Sequence, residues 1–197
     1  MKNEYQNLPY RFLSSRTLIT QNSRGKAVKA GLDDPAFSMM TDFKHVRPFS
    51  TTTTTTIDEI SQKMIACGVR LLFVAGNNDA LLGLVTYNDI FGEKPVRYLQ
   101  ENGGKREEIG AQEIMTPLAR LEALELDDIL KVRIGDIVET MQSSGRQHIL
   151  VVKDQADGSQ AISGLFSSTQ IENRLNIKIE LSPRANTFAD LERALNE

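Results

Sequence analysis

Thr86-Tyr87-Asn88-Asp89 sets a hydroxyl three positions ahead of a carboxylate, directly after the apolar run Gly83-Leu84-Val85. Two chemistries fit that spacing. At a helix start, the hydroxyl and the carboxylate can cap each other's backbone N–H groups. Alternatively, the carboxylate can accept two hydrogen bonds from a vicinal diol, with free helix-start amides favouring a phosphate nearby. Ser167-Ser168-Thr169-Gln170 repeats the arrangement, with an amide where the carboxylate stood. The residues alone leave both chemistries open.

Other reactive side chains form no such pattern. His45 and His148 lack metal-ligand spacing, and His148 falls in a strand pattern as a satisfied core or interface group. Cys67, the single cysteine, sits beside Gly68 at a helix end and reads as a buried thiol. Neither a phosphate-binding glycine loop nor a nucleophile elbow occurs. No carboxylate pair stands out for acid–base work, so no catalysis and no catalytic cofactor are expected.

Bulk properties narrow the classes further. At 197 residues and 40% hydrophobic content, the chain resembles an ordinary globular protein. Such a chain buries roughly 70% of its unfolded surface without disulfide or metal staples. A net charge of −3 supplies no general basic field for nucleic acid. No 18-residue apolar run is present, so a membrane span is not expected. No apolar core follows Lys2, so a secretory leader is not expected either. With one cysteine, the reading is a reducing, cytoplasmic setting.

Positioning elements emerge from an internal repeat. Ser38-Met39-Met40-Thr41 is echoed by Glu113-Ile114-Met115-Thr116, offset 75. Residues 57–74 are echoed by 134–151, offset 77, pairing Ile60 with Ile137, Met64 with Met141 and Gly68 with Gly145. Gly83-Leu84-Val85-Thr86 is echoed by Gly164-Leu165-Phe166-Ser167, offset 81, with four extra residues around 153–160. Each copy reads as strand, helix, strand, strand, helix. Helices are predicted at 57–67, 134–144, from Tyr87 onward and at 168–175, with strands at 71–75, 81–86, 148–153 and 161–166. Thr56 and Glu59 have capping-box spacing. Threonines 51–56 read as an extended lead-in to that cap, and residues 105–112 as the connection between copies.

Both ends differ from the repeats. Residues 1–31 carry six basic side chains against Glu4 alone. They read as an extension lying over the main body, with an acidic-partner contact or a transit peptide as alternatives. Residues 187–195 read as an amphipathic helix covering an exposed edge.

Taken together, these segments resemble a tandem pair of CBS domains, the Bateman module. The Met-Thr pairs near each repeat start, Gly68-Val69-Arg70-Leu71-Leu72-Phe73-Val74 and Gly83-Leu84-Val85-Thr86-Tyr87-Asn88-Asp89-Ile90 carry the likeness. Ile114-Met115-Thr116-Pro117 and Gly164-Leu165-Phe166-Ser167 extend it over about residues 36–176. Gly92-Glu93-Lys94-Pro95 and Gly145-Arg146-Gln147-His148 are similar to stand-alone bacterial CBS-pair proteins.

The resemblance implies an α/β fold of two βαββα repeats packed sheet to sheet. It divides the chain into an extension (1–35), repeat one (36–104), repeat two (105–176) and a tail (177–197). It implies two clefts for adenosine-containing ligands such as AMP, ADP, ATP or S-adenosylmethionine. Thr86 with Asp89, and Ser167 with Gln170, would hold ribose and phosphate. Because an amide is a poorer two-pronged acceptor than a carboxylate, the Thr86/Asp89 cleft should bind more tightly. The Ser167/Gln170 cleft would then be weak or empty, and Asp89→Asn should remove most binding. Arg70 and Arg146, just before the middle strands, are candidates for phosphate, with a surface ion pair as the alternative for either. Val46 and Leu121 are candidate walls for adenine. The implied role is a regulatory sensor without turnover, a homodimer that signals to an unknown regulated protein. The competing reading is an interaction or structural module with degenerate clefts.

Overall fold

The computed structural model describes residues 7–15, 17–19, 30–77 and 80–181. In chain order the strands are β1 (Arg11–Phe12), β2 (Leu18–Ile19), β3 (Thr41–Asp42), β4 (Ser50–Thr52), β5 (Leu71–Ala75), β6 (Leu81–Thr86), β7 (Thr116–Pro117), β8 (Glu122–Glu125), β9 (His148–Asp154) and β10 (Gln160–Ser167). The helices are α1 (Ile57–Cys67), α2 (Tyr87–Phe91), α3 (Glu93–Asn102), α4 (Ala111–Ile114), α5 (Leu126–Ile129), α6 (Ile134–Ser144) and α7 (Ser168–Leu175).

Local chemistry explains the main boundaries. Thr56 starts α1: its hydroxyl accepts from the Glu59 amide, and the Glu59 carboxylate accepts from the Thr56 amide at 2.9 Å. Those hydrogen bonds hold the Glu59 carboxyl below its usual range. Ile57, Ile60 and Met64 share the buried face. Gly68, at φ 64°, closes α1 in the left-handed conformation, and Gly145, at φ 62°, closes α6 in the same way. The helix expected from Tyr87 onward is two helices. Gly92 breaks it with an extended backbone that a side chain would drive into the Asn88 carbonyl.

Two sheets carry the helices. One has the order β4-β5-β6-β7; the other has the order β1-β8-β9-β10-β2, with β3 also on β10. Period-two alternation sends each strand's side chains to opposite faces. On β5, Leu72 and Val74 pack with α1 residues Ile60 and Met64, while Leu71 and Phe73 face the other sheet. On β9, Leu150 and Val152 meet them there, and Ile149 and Val151 pack under α6 with Ile137 and Met141. The result is four layers: helix, sheet, sheet, helix. Phe43 and Phe73 meet edge to face at 5.8 Å in the central layer.

The two halves exchange their leading strands. β3 precedes β4, yet it pairs antiparallel with β10, Thr41 opposite Leu165. β7 precedes β8, yet it pairs antiparallel with β6, Thr116 opposite Leu84. Ala36, Met39 and Met40, just before β3, sit in the α6 side of the core. A division of the chain at 105 is therefore a division in sequence, with each half holding a strand of the other.

The structure describes part of the basic extension. Its described residues lie over the second sheet: β1 pairs antiparallel with β8, and β2 pairs parallel with β10. Arg11 forms ion pairs with Glu125 and Asp154. The helix expected at 187–195 lies outside the described residues. Residues 105–112 do more than connect. Ile109 is fully buried, and the Ala111 amide donates to the Thr55 carbonyl at 2.9 Å.

Gly83 and Gly164, matched in the repeat, owe their identity to the exchange. A Cβ on Gly83 would collide with the Thr116 carbonyl oxygen, and one on Gly164 with that of Thr41. Backbone cannot move aside as a flexible side chain can. Gly164→Ala and Gly83→Ala are each expected to destabilise the protein by about 1–3 kcal/mol. Urea unfolding midpoints check this, and unchanged midpoints would show that the crossing strands tolerate separation.

Candidate ligand cleft

Where the ends of the two sheets meet, a cavity of about 430 Å³ opens. Its walls come from both halves. The linker after β3 gives Val46, Arg47, Pro48 and Phe49, and the turn into β5 gives Val69 and Arg70. The second half gives His148, Leu165, Ser167, Thr169, Gln170, Asn173 and Arg174. Val46, Phe49, Val69, Phe73 and Leu165 make the lining largely apolar. Three arginines, Arg47, Arg70 and Arg174, reach it from three different elements, and among the described residues no Asp or Glu lines it.

Two of these arginines have different tethers. Arg174 donates to the Ser38 carbonyl at 3.4 Å. The Arg70 guanidinium lies 5.7 Å from the Tyr87 ring centre. Neither Arg47 nor Arg70 forms an ion pair with a described residue. The Gln170 side-chain carbonyl accepts from the Thr41 hydroxyl at 2.9 Å, tying α7 to the crossing strand. Ser167 precedes α7 without capping it through its side chain.

His148 begins β9 opposite Ser167 on β10 and points into the cavity. Burial pushes its imidazole down to about 4, the Arg70 charge pushes the same way, and the Asp89 charge opposes both. The ring is therefore neutral at pH 7 and offers one donor and one acceptor.

In the second cleft, related by the repeat, the polar side chains have partners within the protein. Asp89 caps α2 in full: one carboxylate oxygen accepts from the Thr86 amide and hydroxyl, both at 2.7 Å. Its other oxygen pairs with the Lys94 ammonium at 2.6 Å. Lys94 also donates to the Ile114 carbonyl at 2.8 Å and the Thr116 hydroxyl at 3.3 Å. Arg146 pairs with Glu122 and lies 4.6 Å from the Tyr10 ring centre. Tyr10 in turn donates to the Ser144 hydroxyl at 3.1 Å.

Of the eight residues singled out from sequence, the structure groups Val46, Arg70, Ser167 and Gln170 around the cavity. Thr86, Asp89, Arg146 and Leu121 lie outside it. Thr86 and Asp89 take the capping geometry, and Arg146 takes the ion-pair alternative. Leu121 is no counterpart of Val46: it is buried between the sheets, and its carbonyl accepts from the Leu13 amide at 3.2 Å. Open volume lies at Ser167 and Gln170, while the polar atoms of Thr86 and Asp89 engage each other and Lys94.

Sequence reasoning missed Arg47, Phe49, His148, Asn173 and Arg174 as lining residues. Asn173 and Arg174 stand one helical turn beyond Gln170, so the helical period carried that signal. His148 stands where the first copy has Leu71, a polar residue opening an apolar strand. Arg47 and Phe49 lie in a linker without periodicity, and nothing local marked them.

No family model matches the chain, and no curated protein matches it in sequence. Solved structures do match. An uncharacterized conserved protein from Pyrococcus horikoshii superposes with a TM-score of 0.52 at 20% identity, over 78% of this chain and 100% of that one. A CBS-domain containing protein from Agrobacterium tumefaciens gives 0.51 at 14% identity, over 76% of this chain and 98% of that one. A crystal structure of CBSX2 in complex with AMP gives 0.49 at 18% identity, over 71% and 94%.

His148 ties stability to pH. An unfolded imidazole titrates near 6.5, whereas the folded one titrates at about 4. Between those values the unfolded chain binds a proton that the folded chain refuses. Stability is therefore full above pH 6.5 and falls as pH drops toward 4, by up to about 1.4 kcal/mol per pH unit. His148→Gln is expected to flatten this part of the profile, measured as the wild-type-minus-variant difference in urea stability from pH 7 to pH 4.5. A difference that stays constant across that range would show that His148 does not titrate there.

Proposed function

We propose that this chain, which has the tandem CBS-pair fold, is a regulatory module that senses an adenine nucleotide in one cleft, the one lined by Arg47, Arg70 and Arg174. One observation carries the reading: an apolar cavity that the described residues line with three arginines and no carboxylate, in a chain whose net charge is −3. Its volume of about 430 Å³ falls in the usual range for small-ligand sites. An apolar slot suits a flat base, and a cationic rim suits phosphate. S-adenosylmethionine carries a sulfonium and an ammonium, so the same rim disfavours it. AMP, ADP and ATP are thus the favoured ligands among the adenosyl compounds. Because the lining draws on both halves, an occupant bridges them, and its binding energy can bias their relative position. The output would be read by a regulated protein, with the module acting as a homodimer and without turnover.

The second cleft supports the interaction-module alternative for that side alone. Its Asp89 and Arg146 already have internal partners.

Calorimetry and thermal shift test the reading on the full chain. AMP, ADP or ATP should raise Tm by mass action, and S-adenosylmethionine should not. Arg70→Ala should weaken nucleotide binding by about tenfold or more, the worth of a charge-assisted hydrogen bond. Asp89→Asn should lower Tm while leaving nucleotide affinity within about twofold, since it removes a cap and an internal ion pair rather than a ligand contact. Loss of nucleotide binding in Asp89→Asn with Tm intact would move the site to the other cleft. Absence of any nucleotide effect on the wild type would leave the interaction-module reading.

A further inference from the structure

His148 lines the open cleft at the start of β9, opposite Ser167 on β10, and imidazole is the side chain whose charge can change between pH 5 and 8. Charged groups meet it from several elements. Arg47 in the linker after β3, Arg70 in the turn into β5 and Arg174 on α7 share the cavity with it. Asp89 on α2, paired with Lys94 on α3, also acts on the ring through its charge. Just before β9, Arg146 is paired with Glu122. Of the charges, Arg70 acts on the ring most, and with burial it keeps the imidazole neutral in the free protein. An anion drawn to Arg70 reverses that balance. It offsets the charge that repels an imidazolium, and it brings a negative charge to the same cavity.

We propose that an anionic ligand enters this cleft together with a proton, taken from solvent onto His148, so that the cleft holds phosphate-bearing ligands more tightly as pH falls from 7 toward 5. This rests on the nucleotide reading above and adds a regulation to it. The imidazolium, once formed, is a further cation beside the three arginines. Linkage makes the effect reciprocal: whatever the ligand does to the proton's affinity, the proton does to the ligand's. An opposite charge within about 4–6 Å moves a side-chain titration by about 1–3 pH units. Each unit of rise strengthens ligand binding by up to about tenfold once pH lies below both midpoints. A ligand that fills the cavity without charge only buries the ring further, which favours the neutral form.

Imidazole NMR of the full chain tests this, since the sequence holds two histidines and His45→Gln assigns their signals. Followed from pH 8 down to pH 4, the His148 midpoint should rise by about one unit or more when AMP is saturating. Adenosine, which lacks the phosphate, should leave it in place or lower it. By calorimetry, the AMP affinity of the wild type divided by that of His148→Gln should increase as pH falls from 7 to 5. That ratio cancels the titration of the phosphate itself, which lies near pH 6. The NMR measurement uses the unaltered His148, so it decides the matter even where His148→Gln folds poorly. A midpoint that AMP moves by less than about one unit, while other signals saturate, overturns the inference and leaves the nucleotide reading intact. An equal rise with adenosine overturns it too, because charge is then not the cause. Absence of AMP binding to the wild type at every pH overturns the reading beneath and this inference with it.

Discussion

Each sheet contains a two-residue strand that comes from the other half of the chain, and a glycine lies under each crossing. β3 passes over Gly164 and β7 over Gly83, with carbonyl oxygens where a Cβ would stand. Neither sheet is complete without the partner half. The repeats are therefore not two small domains in contact but one interlocked body, which suits units too small to bury a core alone. The crossing also places Thr41 beside Gln170 and Thr116 beside Lys94. Both cleft floors are thus built from the strand that locks the halves together.

One scaffold with two related clefts gives unlike outcomes because of a few charges. A carboxylate as buried as Asp89, 9% exposed, needs partners for both of its oxygens. Lys94 supplies the cation and Thr86 the donors, so that cleft is electrostatically closed. The matching places in the other cleft hold Gln170 and Leu175, which carry no charge to neutralise. Among the described residues, no acid pairs with its arginines. Val69 and Phe49 line the open cleft, while the matching places in the repeat hold the ion pair Arg146–Glu122, with the Tyr10 ring against Arg146.

Much of this was legible in the sequence, for reasons that also mark where legibility ends. α1, α6, α7, β5 and β6 follow from apolar period, caps and glycine stops, all local signals. The exchange of β3 and β7 was not legible, because two-residue strands have no period and their partners lie far away in sequence. Thr86 and Asp89 illustrate the same limit at the site. Their spacing fits a cap and a diol grip equally well, and the cation that pairs with Asp89, Lys94, stands five residues further on, beyond the Gly92 break. Arg146 was drawn to phosphate by its place before β9, but Glu122 reaches it from a strand 24 positions away.

The open cleft also depends on linker length. In register, Ser50 opposes Phe73 and Ala123 opposes Leu150, so Ser50 and Ala123 are counterparts, as are Thr41 and Thr116. Nine steps lead from Thr41 to Ser50, and seven lead from Thr116 to Ala123. The shorter linker is drawn tight over the central layer, where Leu118 and Leu121 pack between the sheets. The longer one can send Phe43 into that layer and still turn Val46, Arg47 and Phe49 along the cavity rim. Two extra residues thus distinguish the linker that lines the open cleft from the one that packs Leu118 and Leu121 between the sheets. Arg47 depends on that extra length for its position, so one of the three cavity charges owes its place to chain length as much as to residue type.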